Sequence, residues 1–271
     1  MDQQGPLVLL TEQGRREPIV MVHPIGGSVF GYRAFARAIE ERHGIYAFEA
    51  PGLDGESEAL ASVEALALLY VQALCRVVPP PYRLLGFSFG GLVAFEMAHQ
   101  LRKARQDIQG VVLVDCHGLD HAPHPPDEAE SLAEFAQDLG RFAGKKVELD
   151  PLPLHALTRR RRFELLLSKL RECGVLGSEV SLHEIQSRYE VFHASLRALH
   201  AYVPRPLDLP MVHFRAAAAK EESDASLGWE RLALSGLQID RVEGDHYRLW
   251  DAPRALNLAD KVAAFFRSSR G

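Results

Sequence analysis

The sequence predicts an α/β fold: a mostly parallel sheet with helices on both faces, interrupted by a helical insertion. Three observations carry this. Short β-branched and aliphatic runs alternate with helical patterns through the first half of the chain. Those runs are almost continuously apolar, as strands buried on both faces must be. From Cys116 to about Leu209 the strand pattern stops, only helical patterns remain, and strands then resume.

The elements read in order as follows. Ile19 to Val22 is the first clear strand, followed by a Gly/Pro loop and a helical stretch from Tyr32 to Glu41. Ile45 to Phe48 is a second strand, ended by Pro51-Gly52. Ser62 can cap a helix, because its hydroxyl accepts from an otherwise unpaired first-turn amide. That helix runs to about Val77, and Pro79-Pro80-Pro81 stops it. Tyr82 to Phe87 is a third strand, Leu92 to Arg102 a helix, and Val111 to Val114 an uncharged fourth strand. Helical patterns follow near Ser131–Phe142, His155–Glu172 and Leu182–Tyr202. Strands resume at Met211 to Phe214 and Leu237 to Val242. Pro253 at N1 opens a last helix to about Arg267. The expected organisation is a core domain from residues 1–115 and 207–271, with 116–206 as a helical lid.

At 271 residues the chain can bury a large core without disulfide or metal staples. Its 47% hydrophobic and 25% charged residues exclude disorder, collagen and coiled coil. A net charge of −5 argues against nucleic-acid binding. Cys75, Cys116 and Cys173 are odd in number and far apart, so neither a disulfide framework nor a CxxC zinc site is expected. The N-terminus lacks a basic region, and the longest apolar stretch, Ala59 to Cys75, carries Glu64. No targeting segment or membrane span is read from these, and a cytoplasmic protein is expected.

Gly86-Phe87-Ser88-Phe89-Gly90 fits G-x-S-x-G between an apolar strand and a helix. The context matters because a sharp strand-to-helix turn lifts a serine hydroxyl above the sheet edge, and the next helix aims amides at the reacting carbonyl. The plain alternative is a tight turn with a small polar cap. A serine hydroxyl is a weak nucleophile and needs a base, which in turn needs a carboxylate to fix its tautomer. His246, in the loop Glu243 to Tyr247 between the last strand and last helix, is the best-placed of twelve histidines. His213 lies inside a strand and His23 precedes Pro24, so both read as packed or structural. Asp115 ends the fourth strand, where doubly wound sheets place their sites. Asp208 and Asp240 are the alternative acids. His23-Pro24-Ile25-Gly26-Gly27 follows the first strand, so the Ile25 amide can join that of Phe89 as an oxyanion donor. Gly26 and Gly27 are expected to leave room for a substrate chain. His117, His121 and His124 cluster in a Pro-rich segment, which is a poor metal scaffold, and no metal is expected.

These residues together resemble an α/β-hydrolase thioesterase of the kind that ends nonribosomal peptide, polyketide and fatty-acid synthases. The resemblance runs from Pro18 to Ser28, through Ala47 to Leu53 and Tyr82 to Gly91, to Gly244-Asp245-His246-Tyr247. It implies Ser88, Asp115 and His246 as nucleophile, acid and base. It implies an acyl chain delivered as a thioester on the phosphopantetheine arm of an acyl or peptidyl carrier protein, with no cofactor bound directly. An acyl-Ser88 ester would then be released by water or by a hydroxyl or amine of the chain. The sequence holds no carrier, adenylation or ketosynthase region, so the carrier is expected elsewhere. A freestanding editing thioesterase and a non-catalytic hydrolase-fold binding protein are the alternative readings. Generic lipases usually show His-Gly where this chain has His23-Pro24.

The insertion is electrically split. Cys116 to Asp150 holds eight acidic and three basic residues, and Pro151 to Glu172 six basic and two acidic. Carriers of the systems this chain resembles are acidic near their phosphopantetheine serine. Arg159 and Arg162, with Arg160 and Arg161, are therefore expected to include carrier contacts, the plain alternative being a solvated helix face.

Overall fold

Among the described residues seven strands make one sheet: β1 (Leu7–Thr11), β2 (Arg16–Val22), β3 (His43–Phe48), β4 (Tyr82–Phe87), β5 (Ile108–Val114), β6 (Met211–Ala216) and β7 (Leu237–Val242). The computed structural model describes residues 5–12, 14, 16–118, 126–218 and 224–269. The strand order is β1-β3-β2-β4-β5-β6-β7, and every pairing except β1 with β3 is parallel.

Alternate residues of the central strands point to opposite faces. Val20, Val22, Leu84, Val111 and Leu113 pack under α2 (Val63–Val77) and α3 (Phe89–Lys103). Met21, Leu85, Phe87, Val112 and Val114 pack under α1 (Arg33–Ile39) and a terminal helix, Arg254–Ser268. Each such side chain gains about 1.5–3 kcal/mol from burial, which is why these strands read as continuous apolar runs. On α2 the ridge Val63, Leu66, Ala67, Tyr70, Val71 and Leu74 faces the sheet, and Ser62 caps the helix by accepting from the Ala65 amide.

Between β5 and β6 lie only helices among the described residues: α4 (Glu128–Phe142), α5 (Pro151–Leu154), α6 (Arg159–Glu172) and α7 (Leu182–Ala201). The terminal helix is thus α8. Leu132, Phe135, Phe163, Leu166, Leu170, Ile185, Tyr189 and Phe192 form a third apolar cluster apart from the two sheet faces. α7 serves both parts. Its Val191 packs where side chains on Gly27 and Gly52 would stand, while Ala198 joins the sheet cluster. No helix among the described residues is long and apolar enough to cross a membrane.

Several details differ from the sequence reading: β2, β5 and α4 each begin three residues earlier, at Arg16, Ile108 and Glu128. β1 was not read, because a short half-buried antiparallel edge strand carries no distinctive pattern. The helix expected over His155–Glu172 starts later, at Arg159 after Thr158, and a separate short helix, α5, capped by Asp150, ends just before His155. α3 begins at Phe89 rather than Leu92. Pro253 sits at the N-cap of α8 rather than at N1.

Candidate active site

The strand β4 ends at Phe87, and Ser88 follows with φ 52° and ψ −128°, a conformation that non-glycine residues rarely adopt. Such a residue costs about 1–3 kcal/mol and persists only when its surroundings hold it. The Ser88 amide donates to the Val114 carbonyl at 3.0 Å, and the Ser88 carbonyl accepts from Gly91 at 2.9 Å. The serine side chain makes no capping bond to α3, so its hydroxyl is not spent on the helix. Glycine at two positions allows the turn. A Cβ on Gly86 would overlap the backbone of Gly90 and Gly91, and a Cβ on Gly90 would meet the Val22 and His23 carbonyls.

That second approach brings the loop after β2 against the elbow. Within it, the Pro24 carbonyl accepts from the Gly27 amide at 2.9 Å and from His23 Nδ1 at 2.7 Å. Gly27 has φ +82°, and Val191 and Ala50 fill the place of its missing side chain. Gly27 therefore serves the turn and does not leave room for a substrate chain, contrary to the sequence reading. Gly26 has open space where its Cβ would be. The Ile25 amide donates to no other group among the described residues. The Phe89 amide opens α3 and has no carbonyl one turn back within the helix.

Asp115 stands directly after β5 with φ 43°. Its amide donates to the Phe214 carbonyl at 2.8 Å. Its carboxylate accepts from the Ala216 amide at 2.9 Å on one oxygen and from His246 Nδ1 at 2.7 Å on the other. Burial pushes this carboxyl up, but the bonds from His246 and Ala216 outweigh it and hold the group below its ordinary value. An ionised carboxylate only accepts, so His246 carries its proton on Nδ1 and Nε2 is left basic. The imidazole packs on Phe87, the residue before Ser88, with ring centres 4.6 Å apart. The fold thus gathers Ser88, Asp115 and His246 at the carboxyl ends of β4, β5 and β7.

The other sequence candidates lie elsewhere. Asp208 accepts from the Ser235 hydroxyl, and Asp240 pairs with Lys261. His213 is buried, accepts from the Cys116 amide at 3.3 Å, and is lowered to about 4 by burial. Burial pushes the Cys116 thiol far up, which removes it as a nucleophile. His121 and His124 lie outside the described residues. Among the described residues no group of His, Cys, Asp and Glu is arranged to hold a metal.

Arg159 and Arg162 are engaged within the chain. Arg159 pairs with Glu128 and Glu190, and Arg162 pairs with Glu128 at 2.6 Å and donates to the Leu154 carbonyl. They fasten α6 to α4 and α7. Arg160 and Arg161 pair with Glu164 and are the outward members of the run, 80% and 73% exposed.

Sequence reasoning missed a second group beside His246. Tyr247 donates to Asp138 of α4 at 3.2 Å, and the Phe142 ring packs edge-on against it at 4.9 Å. Burial raises the Asp138 carboxyl to about 6, opposed by the Tyr247 bond and by the nearby His246 and Arg141 side chains. Asp138 is one of eight acids in its segment, and nothing in its spacing marks it. An open cleft of 490 Å³ between residues 57–61 and α7, lined by Glu190, His193 and Arg197, contains none of the residues at the elbow.

The thioesterase-domain family model matches residues 17–266. The nonribosomal peptide synthetase btyA of Aspergillus terreus is 28% identical over 92% of this chain, which spans 28% of that protein. A four-domain nonribosomal peptide synthetase bound to AMP and glycine superposes with a TM-score of 0.85 at 28% identity, over 96% of this chain and 20% of that one. The Vlm2 thioesterase domain superposes with a TM-score of 0.67 at 25% identity, over 95% of this chain and 96% of that one. The chain has the α/β-hydrolase fold and belongs to the thioesterase-domain family.

Proposed function

We propose that this chain releases an acyl or peptidyl group from the phosphopantetheine arm of a carrier protein through an acyl-Ser88 intermediate. The Ser88 hydroxyl attacks the thioester carbonyl and its proton passes to His246 Nε2, while Asp115 holds the imidazolium that forms. The Ile25 and Phe89 amides receive the oxyanion. The C–S bond breaks, the thiolate takes the proton from His246, and the ester on Ser88 remains. Water, or a hydroxyl or amine of the acyl chain, then gives a proton to His246 and attacks the ester. The Ser88 oxygen leaves with that proton, releasing an acid, a lactone or a lactam.

The observation that carries this reading is the 2.7 Å bond between Asp115 and His246, with the imidazole packed on Phe87 beside a strained Ser88. Gly26, with open space at its Cβ position, lies where the acyl chain would pass. The relatives are multidomain synthetases of which this chain matches a minor part, and that favours chain release over editing by a freestanding protein. Residues 116–206 act in this reading as a lid over Ser88. We do not place carrier docking on Arg159 and Arg162, whose charges are spent on Glu128 and Glu190. Arg160 and Arg161 are the members of the run open to an acidic partner.

Two measurements test the reading. A fluorophosphonate should label the wild type and not Ser88→Ala. Mass spectrometry of products from a panel of acyl thioesters should show acid, lactone or lactam. A wild-type chain that neither reacts with the fluorophosphonate nor turns over any thioester would favour a non-catalytic binding protein.

A further inference from the structure

The peptide between Pro24 and Ile25 is planar and trans, so its carbonyl and its N–H point in opposite directions. Whatever fixes the Pro24 carbonyl therefore aims the Ile25 amide. Two donors fix it: the Gly27 amide at 2.9 Å and His23 Nδ1 at 2.7 Å. A carbonyl only accepts, so the His23 proton is on Nδ1. His23 Nε2, 2.7 Å from the Tyr70 hydroxyl, must then accept from it, a shorter contact than the 3.3 Å from that hydroxyl to its other acceptor, the Glu49 carbonyl. Tyr70 is itself held by stacking on Phe48, ring centres 4.3 Å apart, and by the sheet-facing ridge of α2. His23 and Tyr70 are both wholly buried. The His23 imidazole is lowered to about 4 by burial, so it stays neutral and keeps this single tautomer around neutral pH.

We propose that His23, locked by Tyr70, is a positioning residue that aims the Ile25 amide at the developing oxyanion. The inference rests on the assignment of Ile25 as an oxyanion donor. Its neighbours agree with it. Gly90 of the elbow packs on the His23 carbonyl, so the second donor, Phe89, is registered against the same residue. A histidine that served only to fill space would need neither bond. His23 touches no reacting atom and acts through the peptide it holds.

The proposal separates the two ring nitrogens. Asn at residue 23 places an N–H near the position of Nδ1 and can still hold the Pro24 carbonyl. Gln reaches toward Tyr70 and leaves that carbonyl to Gly27 alone. With a short acyl thioester of N-acetylcysteamine, His23→Gln should lower kcat by about 10- to 100-fold, less than the loss of a whole oxyanion donor, with KM little changed. A boronic acid that forms a tetrahedral adduct on Ser88 should weaken by the same factor, because it uses the same amides. His23→Asn should recover most of both losses. Equal losses in the Gln and Asn variants, wild-type kcat in His23→Gln, or a change in KM alone would overturn the proposal. If the His23 variants do not fold, Tyr70→Phe keeps the stacked ring and removes the lock. It should lower kcat and boronate affinity together, and no change in either would overturn the proposal. Ile25→Pro removes the amide proton, Ile25→Ala keeps it and controls for the lost side chain that packs on two apolar clusters, and the pair tests the underlying assignment. Full activity in Ile25→Pro would refute Ile25 as a donor, whereas its loss with His23→Gln unaffected would refute only the aiming role.

Discussion

Replacing Asp115 with asparagine keeps the shape of the side chain and changes which atoms can donate. The aspartate has one oxygen on the Ala216 amide at 2.9 Å and the other on His246 Nδ1 at 2.7 Å. Asparagine offers one oxygen and one NH₂. Turning the NH₂ to Ala216 would set donor against donor, so the oxygen stays there and the NH₂ faces His246. Nδ1 must then accept, and the single proton of the neutral ring moves to Nε2, the nitrogen that has to take the Ser88 proton. In this arrangement kcat should fall about 10⁴-fold, or about 5 kcal/mol of barrier. The lost charge-assisted bond should cost only about 1.5–3 kcal/mol of stability. A domain with about 5–15 kcal/mol in hand survives that, so lost activity is not lost fold. The assay is thioester turnover and the rate of fluorophosphonate labelling, with thermal unfolding as the fold control. Labelling and turnover at the wild-type rate would refute the tautomer argument. Asp208 and Asp240 would not easily rescue it, because Ser235 and Lys261 already hold them.

Two further outcomes follow from charged groups in the insertion. The folded Asp138 carboxyl is raised to about 6, above its value in an unfolded chain, so its stability contribution is full at low pH and is lost as pH rises through about 6. Asp138→Asn, which still accepts from Tyr247, should therefore be more stable than the wild type above about pH 7, by about 3 kcal/mol at most, and nearly equal to it near pH 4. A melting difference that does not vary with pH would contradict this. Arg162 is 16% exposed and tied to Glu128 and to the Leu154 carbonyl. Arg162→Glu should destabilise the packing of α4 on α6 by about 1–3 kcal/mol, seen as faster hydrogen exchange in both helices. Unchanged exchange there would restore Arg162 as a free surface charge.

How much the sequence disclosed depends on how local the signal is. The bounds expected for β4 and β7 match the structure to the residue: β4 is buried along its whole length between Pro81 and the elbow, whereas β7 is a half-exposed edge strand set off by Gly236 and Gly244. Ser88 was visible because its elbow needs small residues in one short stretch. Asp115 was visible because it directly follows β5 and His246 because it lies in the loop after β7, and the parallel sheet gathers those ends. The hidden features are the long-range ones. Tyr70 lies 47 positions from His23 and Asp138 lies 109 from Tyr247, and no periodicity links either pair. Arg159 to Arg162 misled for the same reason. A basic run looks free in sequence, and the acids that neutralise Arg159 and Arg162, Glu128 and Glu190, come from two other helices.

The site is also an extension of the sheet. Phe87 pairs with Val114, and one residue on, the Ser88 amide donates to the Val114 carbonyl. Val114 pairs with Phe214, and one residue on, the Asp115 amide donates to the Phe214 carbonyl. The Ala216 amide, from the end of β6, then returns a bond to the Asp115 carboxylate. Ser88 and Asp115 both have positive φ, so together they store about 2–6 kcal/mol of backbone strain. A single ladder bond offsets only about 0.5–1.5 kcal/mol of it. The remainder falls on the strands, which cannot shift by one residue without turning Val112 and Val114 from one apolar layer to the other. Register therefore does the positioning. The same parallel ladder that buries the core fixes where the hydroxyl, the carboxylate and the imidazole can stand.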